Sequence, residues 1–173
     1  MTRIVINIPV IETARLILRE PRAADFDAMH AFGQSDRARF VGGPYADWQT
    51  WGGLTGNIGQ WALRGFGFWT VEERAGGALV GRIGVIQPFD WPEPELAWHV
   101  YEGFEGKGLA YEAAMAARSC AYGKLGLGPL ISQIHADNTR SRRLAERMGA
   151  TVEGEGAVRG TPCLTYRHPG ASA

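Results

Sequence analysis

The sequence predicts a mixed α/β fold, α+β in arrangement, with a largely antiparallel central sheet flanked by helices on both faces. Three observations carry this. The hydrophobic period changes along the chain between two and 3.6 residues. Between residues 66 and 101 three strand-like segments follow one another without an intervening helix, as antiparallel neighbours do. The helical segments lie in two groups, before and after that run, which excludes a strictly alternating doubly wound sheet.

Arg15-Leu-Ile-Leu-Arg-Glu20 reads as the first strand, with Leu16 and Leu18 on one face and Ile17 on the other. Asp25 is placed to cap a helix carrying Met29 and Phe32 to about residue 34. Gly42-Gly43-Pro44 breaks the chain before a second helix over 47–64, where Trp48, Trp51, Thr55, Ile58 and Trp61 recur every three or four residues as a stripe. Of these, Trp51, Ile58 and Trp61 are expected to pack on the sheet. Residues 66–74 and 78–86 read as a hairpin around Ala75-Gly76-Gly77, and Glu95–Tyr101 as the next strand after a loop at 88–94. An alanine-rich helix at about 110–124 follows a glycine-rich turn. The chain then gives a strand at 130–135, a helix from Asn138 to about Met148, and a closing strand pair near 150–155 and 158–168.

The 173 residues suit one domain, 1–173. Eighteen Lys and Arg balance eighteen Asp and Glu, so there is no charge footprint for nucleic acid or an anionic membrane. No apolar run reaches the about 18 residues of a membrane span. Asn7 and Pro9 interrupt any leader-peptide core, so a soluble cytoplasmic protein is expected. Two cysteines, Cys120 and Cys163, and four scattered histidines give no disulfide framework and no metal motif. Glycine, at 24 residues, is used about twice as often as usual and is expected at turns and close backbone approaches.

Chemistry concentrates where the strand ending at Val100 meets Glu102-Gly-Phe-Glu-Gly-Lys-Gly-Leu109. The following helix starts without Ser, Thr, Asp or Asn, so its first N–H groups lack a side-chain cap and suit an anion such as phosphate. Gly106 and Gly108 permit close approach, and Lys107 adds a charge. A Walker loop is excluded, because no Gly-Lys-Ser/Thr is present, and a dinucleotide fingerprint lacks its third glycine. About thirty residues on, Asn138 and Ser141 open a helix that ends at Met148-Gly149.

With these residues in order, the chain resembles the GNAT superfamily of acetyl-CoA-dependent N-acetyltransferases, in the branch of the ribosomal-protein N-terminal acetyltransferases. The resemblance runs from Glu12-Thr-Ala-Arg-Leu-Ile-Leu-Arg19 to the last strands. Gly106-Lys-Gly-Leu-Ala-Tyr-Glu-Ala113 is similar to the family's pyrophosphate turn, and Asn138-x-x-Ser141 with Met148-Gly149 to its later cofactor-side helix. The sequence departs from the pattern at Glu105, where Gln or Arg is usual, so that side chain is expected to point away from a pyrophosphate. It also departs at Ala145, where many members carry a tyrosine acid, so Ser141 is expected near the sulfur.

The resemblance implies a GNAT-like acyl-CoA N-acyltransferase fold and direct acetyl transfer from acetyl-CoA to a primary amine, either a protein α-amine or a small molecule, with no metal. Cofactor contacts are expected from Trp98, Val100, Gly106, Lys107, Gly108, Leu109, Ala110, Asn138 and Ser141. Catalytic candidates are Ser141 together with Glu95 and His99, which share a strand face and are read as possible bases. Loops at Phe40–Tyr45 and Phe89–Glu93, with Trp48 and Trp91, are candidate acceptor walls. The other reading is a non-catalytic acyl-CoA-binding module on the same fold. Exposed aromatic residues are compatible with a homodimer.

Overall fold

The structure is a computed structural model that describes residues 5–171; Met1–Ile4, part of the segment weighed as a leader, lie outside them. Eight strands form one sheet: β1 (Ile11–Glu12), β2 (Leu16–Arg19), β3 (Phe68–Glu73), β4 (Leu79–Ile86), β5 (Glu95–Val100), β6 (Ile131–Ile134), β7 (Thr151–Val158) and β8 (Thr161–Arg167). Their order is β1-β2-β3-β4-β5-β6-β8-β7. All neighbours are antiparallel except β5 and β6, which are parallel. The helices are α1 (Phe26–Gln34), α2 (Asp47–Arg64), α3 (Leu109–Gly123) and α4 (Thr139–Arg147). None is long and apolar enough to cross a membrane among the described residues.

Alternation along the strands sorts the core. Leu16, Leu18, Trp69, Val71, Ile83, Val85 and Leu96 pack with Leu109, Ala113 and Ala117 of α3. On the opposite face, His99 stacks on Phe32 of α1, and Tyr101 joins Met29, Phe32 and Leu54. Helices thus cover both faces, as expected. Burial of each large apolar side chain contributes about 1.5–3 kcal/mol.

Three local expectations change. The opening strand is a short hairpin, because the Thr13 N–H donates to the Leu16 carbonyl and the Leu16 N–H donates to the Thr13 hydroxyl, turning β1 onto β2. Asp25 does not cap α1. Its carboxylate accepts from both terminal nitrogens of Arg19 (2.8 and 3.0 Å), the Arg22 N–H and the Thr70 hydroxyl, and so ties the helix start to β2 and β3. In α2 the buried row is Thr50, Leu54, Asn57 and Trp61, while Trp48 is 74% and Trp51 49% exposed, so Trp51 is not core. Asn57 sets that rotation. Its amide donates to the Phe68 carbonyl and accepts from the Phe68 N–H, satisfying both backbone groups under the helix.

Candidate active site

The parallel contact between β5 and β6 amounts to one register pair, Glu95 with Ile131, where the Ile131 N–H donates to the Pro94 carbonyl. The next ladder bond would join the Gln133 N–H to the Leu96 carbonyl, and side chains intercept both groups. The Gln133 N–H donates to the Glu95 carboxylate (3.0 Å), and the Leu96 carbonyl accepts from the Ser132 hydroxyl (2.6 Å). Beyond this point the strands diverge.

The divergence leaves a backbone edge open. The Tyr101 N–H donates to the Val80 carbonyl, and alternate residues of an antiparallel strand turn their amides the same way. Ala97 and His99 therefore pair with β4, while the N–H and C=O groups of Trp98 and Val100 face the gap, with no strand partner among the described residues. The Trp98 side chain crosses the gap to α4, where its indole N–H donates to the Ser141 hydroxyl oxygen (3.1 Å).

The glycine turn stands at the wide end of the gap. Gly106 and Gly108 hold φ of 72° and 76°, a backbone conformation that favours glycine, and Gly108 is the N-cap of α3 without a side-chain hydrogen bond. The free N–H groups of this first turn and the helix dipole point the same way. Arg15, before β2, braces the turn: its Nη1 donates to the Lys107 carbonyl (2.9 Å) and its Nε to Glu112 on α3 (2.7 Å). The Lys107 ammonium lies over the Phe104 ring. Glu105 forms an ion pair with Arg37, in the 3-10 turn Asp36–Val41 that follows α1, which accounts for an acidic residue at this place in the turn.

Asn138 is the N-cap of α4, its side-chain oxygen accepting from the Ser141 N–H, and α4 carries four arginines against one glutamate. Chain neutrality therefore coexists with local positive charge beside the gap. Ala145 is fully buried against Ile134, Ala150 and Tyr166, so a side chain there faces core and not the gap.

Glu95, 6% exposed at the floor of the gap, accepts from the Trp91 indole and from the backbone and side-chain N–H groups of Gln133. Burial pushes its carboxyl up to about 7, against those hydrogen bonds. His99 is held well below the usual histidine range, first by burial and then by Arg82. Its Nδ1 accepts from Arg82 Nε (3.0 Å), so the proton of the neutral ring sits on Nε2 and no ring lone pair remains for an amine. Among the candidate acceptor walls, Trp91 reaches Glu95 and lies under Arg159, itself paired with Asp90. Phe40 packs against His135, just past β6. Trp48 instead lines an open groove with Trp51, Phe26, Asp27 and Asp47 between the first turns of α1 and α2. No group of three His, Cys, Asp or Glu among the described residues is placed to hold a metal ion.

Sequence reasoning missed Arg15, Arg37 and Arg82. Only Arg82 had a signal, as a lone charge within the apolar run Leu79–Ile86.

Residues 15–151 match a family described as the acetyltransferase (GNAT) domain. An acetyltransferase of Agrobacterium tumefaciens is 36% identical, with a TM-score of 0.87 over 98% of this chain and 99% of that one. A protein of Bordetella pertussis, assigned to the GnaT acetyltransferase family, is 27% identical with a TM-score of 0.81, covering 94% of this chain and 100% of its own. RimL, a ribosomal L7/L12 α-N-protein acetyltransferase in complex with coenzyme A, shares the fold at 19% identity and a TM-score of 0.71, over 95% of this chain and 100% of its own.

Proposed function

The chain belongs to the GNAT acetyltransferase family, and on that footing we propose that it transfers an acetyl group directly from the thioester of acetyl-CoA to a primary amine. The observation that carries the reading is the open edge of β5 beside an uncapped helix start. Pantetheine is suited to add to that edge as a further strand, through the backbone groups of Trp98 and Val100. The pyrophosphate then falls on Gly106, Lys107, Gly108, Leu109 and Ala110, with Asn138 and Ser141 on the far wall. That RimL, a protein of the same fold, is found in complex with coenzyme A supports coenzyme A as the kind of ligand.

In the reaction the amine nitrogen attacks the thioester carbonyl, forming the C–N bond. A Trp98 or Val100 N–H stabilises the tetrahedral oxyanion. Collapse breaks the C–S bond. The amine proton passes to Glu95, directly or through water, since its carboxyl titrates near the working pH. The Ser141 hydroxyl, its oxygen supported by the Trp98 indole N–H, donates a hydrogen bond to the leaving thiolate, which takes up a proton from water as Glu95 returns the amine's proton to solvent. His99 serves to position Arg82 and not as the base. An α-amine, with a pKa of about 7.7–8.0, is roughly a tenth neutral at pH 7, whereas a lysine amine near 10.4 is neutral about once in several thousand. A base as weak as Glu95 therefore suits an α-amine or a similarly weak small amine.

A thiol-release assay with acetyl-CoA across free-N-terminus peptides and small amines tests the reading. The expected result is acceptor-dependent release of one CoA per acetylated amine. Acetyl-CoA binding without acceptor-dependent release would instead identify a non-catalytic acyl-CoA module.

A further inference from the structure

Among the described residues, Arg82 is a half-buried cation without a counter-charge. It stands on β4 opposite His99, one strand from the edge at Trp98, on the face covered by α1. Its Nε is used on His99, its Nη1 lies 3.7 Å from the Met29 sulfur, and its guanidinium lies over the Phe68 ring at 4.7 Å. Among the described residues no carboxylate lies within salt-bridge distance of it, and no oxygen accepts a hydrogen bond from it. Asp25 lines the same small cavity, but Arg19, the Arg22 N–H and Thr70 occupy its oxygens. Arg118, which is buried, differs in donating to the Met148 carbonyl. Partial desolvation of a guanidinium without an anion is costly, a sulfur, a ring face and a neutral imidazole compensate only in part, and its free Nη2 is not fully buried, so an anion can reach it.

The surroundings show where an anion would enter. The Tyr45 phenol, at the connection between α1 and α2, is pushed up by burial, against the opposing pull of Arg82 and Arg159. Arg159 is neutralised by Asp90, and Arg82 is not. Arg82 stands opposite His99 on β5, next to Trp98, at the about 5 Å spacing of neighbouring strands.

We infer that the amine acceptor carries a carboxylate, which the free donors of Arg82 receive while the amine meets the thioester beside Trp98. This rests on the acetyltransferase reading above. Two sources share the chemistry: a free amino acid, whose amine and carboxylate stand on one carbon, and a peptide with an acidic side chain in its first residues.

The test compares each amino acid with its amide and its decarboxylated amine, and each acidic N-terminal peptide with its Asn or Gln counterpart, in wild type, Arg82→Gln and Arg82→Lys. In wild type the carboxylate form is expected to exceed its neutral counterpart by about tenfold or more in kcat/KM, as loss of one charge-assisted fork implies. In Arg82→Gln the preference falls to within about twofold, with acetyl-CoA KM unchanged. Arg82→Lys keeps part of it, because a point charge lacks the fork. The amino acid and peptide arms show which source is used. Equal rates for acid and amide in wild type, or a preference that survives Arg82→Gln, overturn the inference. If no acceptor releases CoA, the acetyltransferase reading fails instead. Arg82 is then still tested by thermal shift of the wild-type protein, where N-acetylated amino acids must stabilise it more than their amides do; equal shifts also overturn the inference.

Discussion

Replacing Glu95 by Gln separates catalysis from stability in opposite directions. The carboxyl titrates near 7 in the folded protein against an ordinary 4.5, chiefly because it is buried. The native state therefore holds this proton more tightly than the unfolded chain. Its stabilising effect is fully present below pH 4.5 and is lost as pH rises through 7. Over that window the wild type loses about 3 kcal/mol of stability from this one group, at about 1.4 kcal/mol per pH unit. Gln cannot titrate, so Glu95→Gln lacks this loss, and urea midpoints of variant and wild type diverge from pH 5 to pH 8 in the variant's favour. The variant does reverse one hydrogen bond, since its amide cannot accept at both oxygens from Trp91 and Gln133, which subtracts about 1 kcal/mol at every pH. Turnover moves the other way. Wild-type kcat rises with pH to a plateau above about 7, and Glu95→Gln loses that inflection and roughly 10²–10³-fold of kcat at pH 8, with acetyl-CoA KM little changed. Wild-type turnover with the same inflection in the variant would refute the role of Glu95 as base.

Other perturbations address other parts of the site. Ser141→Ala should lower kcat by roughly 10–100-fold without weakening acetyl-CoA binding, read by steady-state kinetics beside a direct CoA titration. Arg37→Ala leaves the Glu105 carboxylate unpaired beside the phosphate turn and should weaken CoA binding several-fold at low salt, less at high salt; adding Glu105→Gln should restore it, and failure to do so would refute this pairing as the reason an acidic turn is tolerated. Gly108→Ala, at φ 76°, should cost roughly 1–2 kcal/mol in melting experiments and raise acetyl-CoA KM more than it lowers kcat. Asn57→Leu strands the Phe68 N–H and leaves its carbonyl to the Trp61 indole alone, and urea unfolding should show a loss of about 1–3 kcal/mol.

The sheet was legible because period and turn chemistry agree along it: the β3–β4 hairpin, the long α2 and the glycine turn before α3 lie within about two residues of where the sequence puts them. The face of α2 was legible only in part: Trp61 is buried as its place in the stripe suggests, but Trp51 is turned out because Asn57, which serves the Phe68 backbone, takes a place in the buried row. Asp25 misled for a similar reason, since a carboxylate before a helix suggests a cap and only tertiary contact reveals the arginine that claims it. Cofactor-side positions could be marked as a string of residues, whereas the reason for the gap could not. It arises where Glu95 and Ser132 each intercept one backbone group of a would-be ladder, a coincidence of two strands 36 residues apart.

Amide hydrogen exchange across β5, with and without coenzyme A, tests the account of this gap most directly. Pantetheine added to the open edge should slow exchange at the Trp98 and Val100 amides and at those of Gly106–Ala110, leaving β7 unchanged. Saturating coenzyme A that protects the turn but leaves Trp98 and Val100 exchanging as before would contradict it.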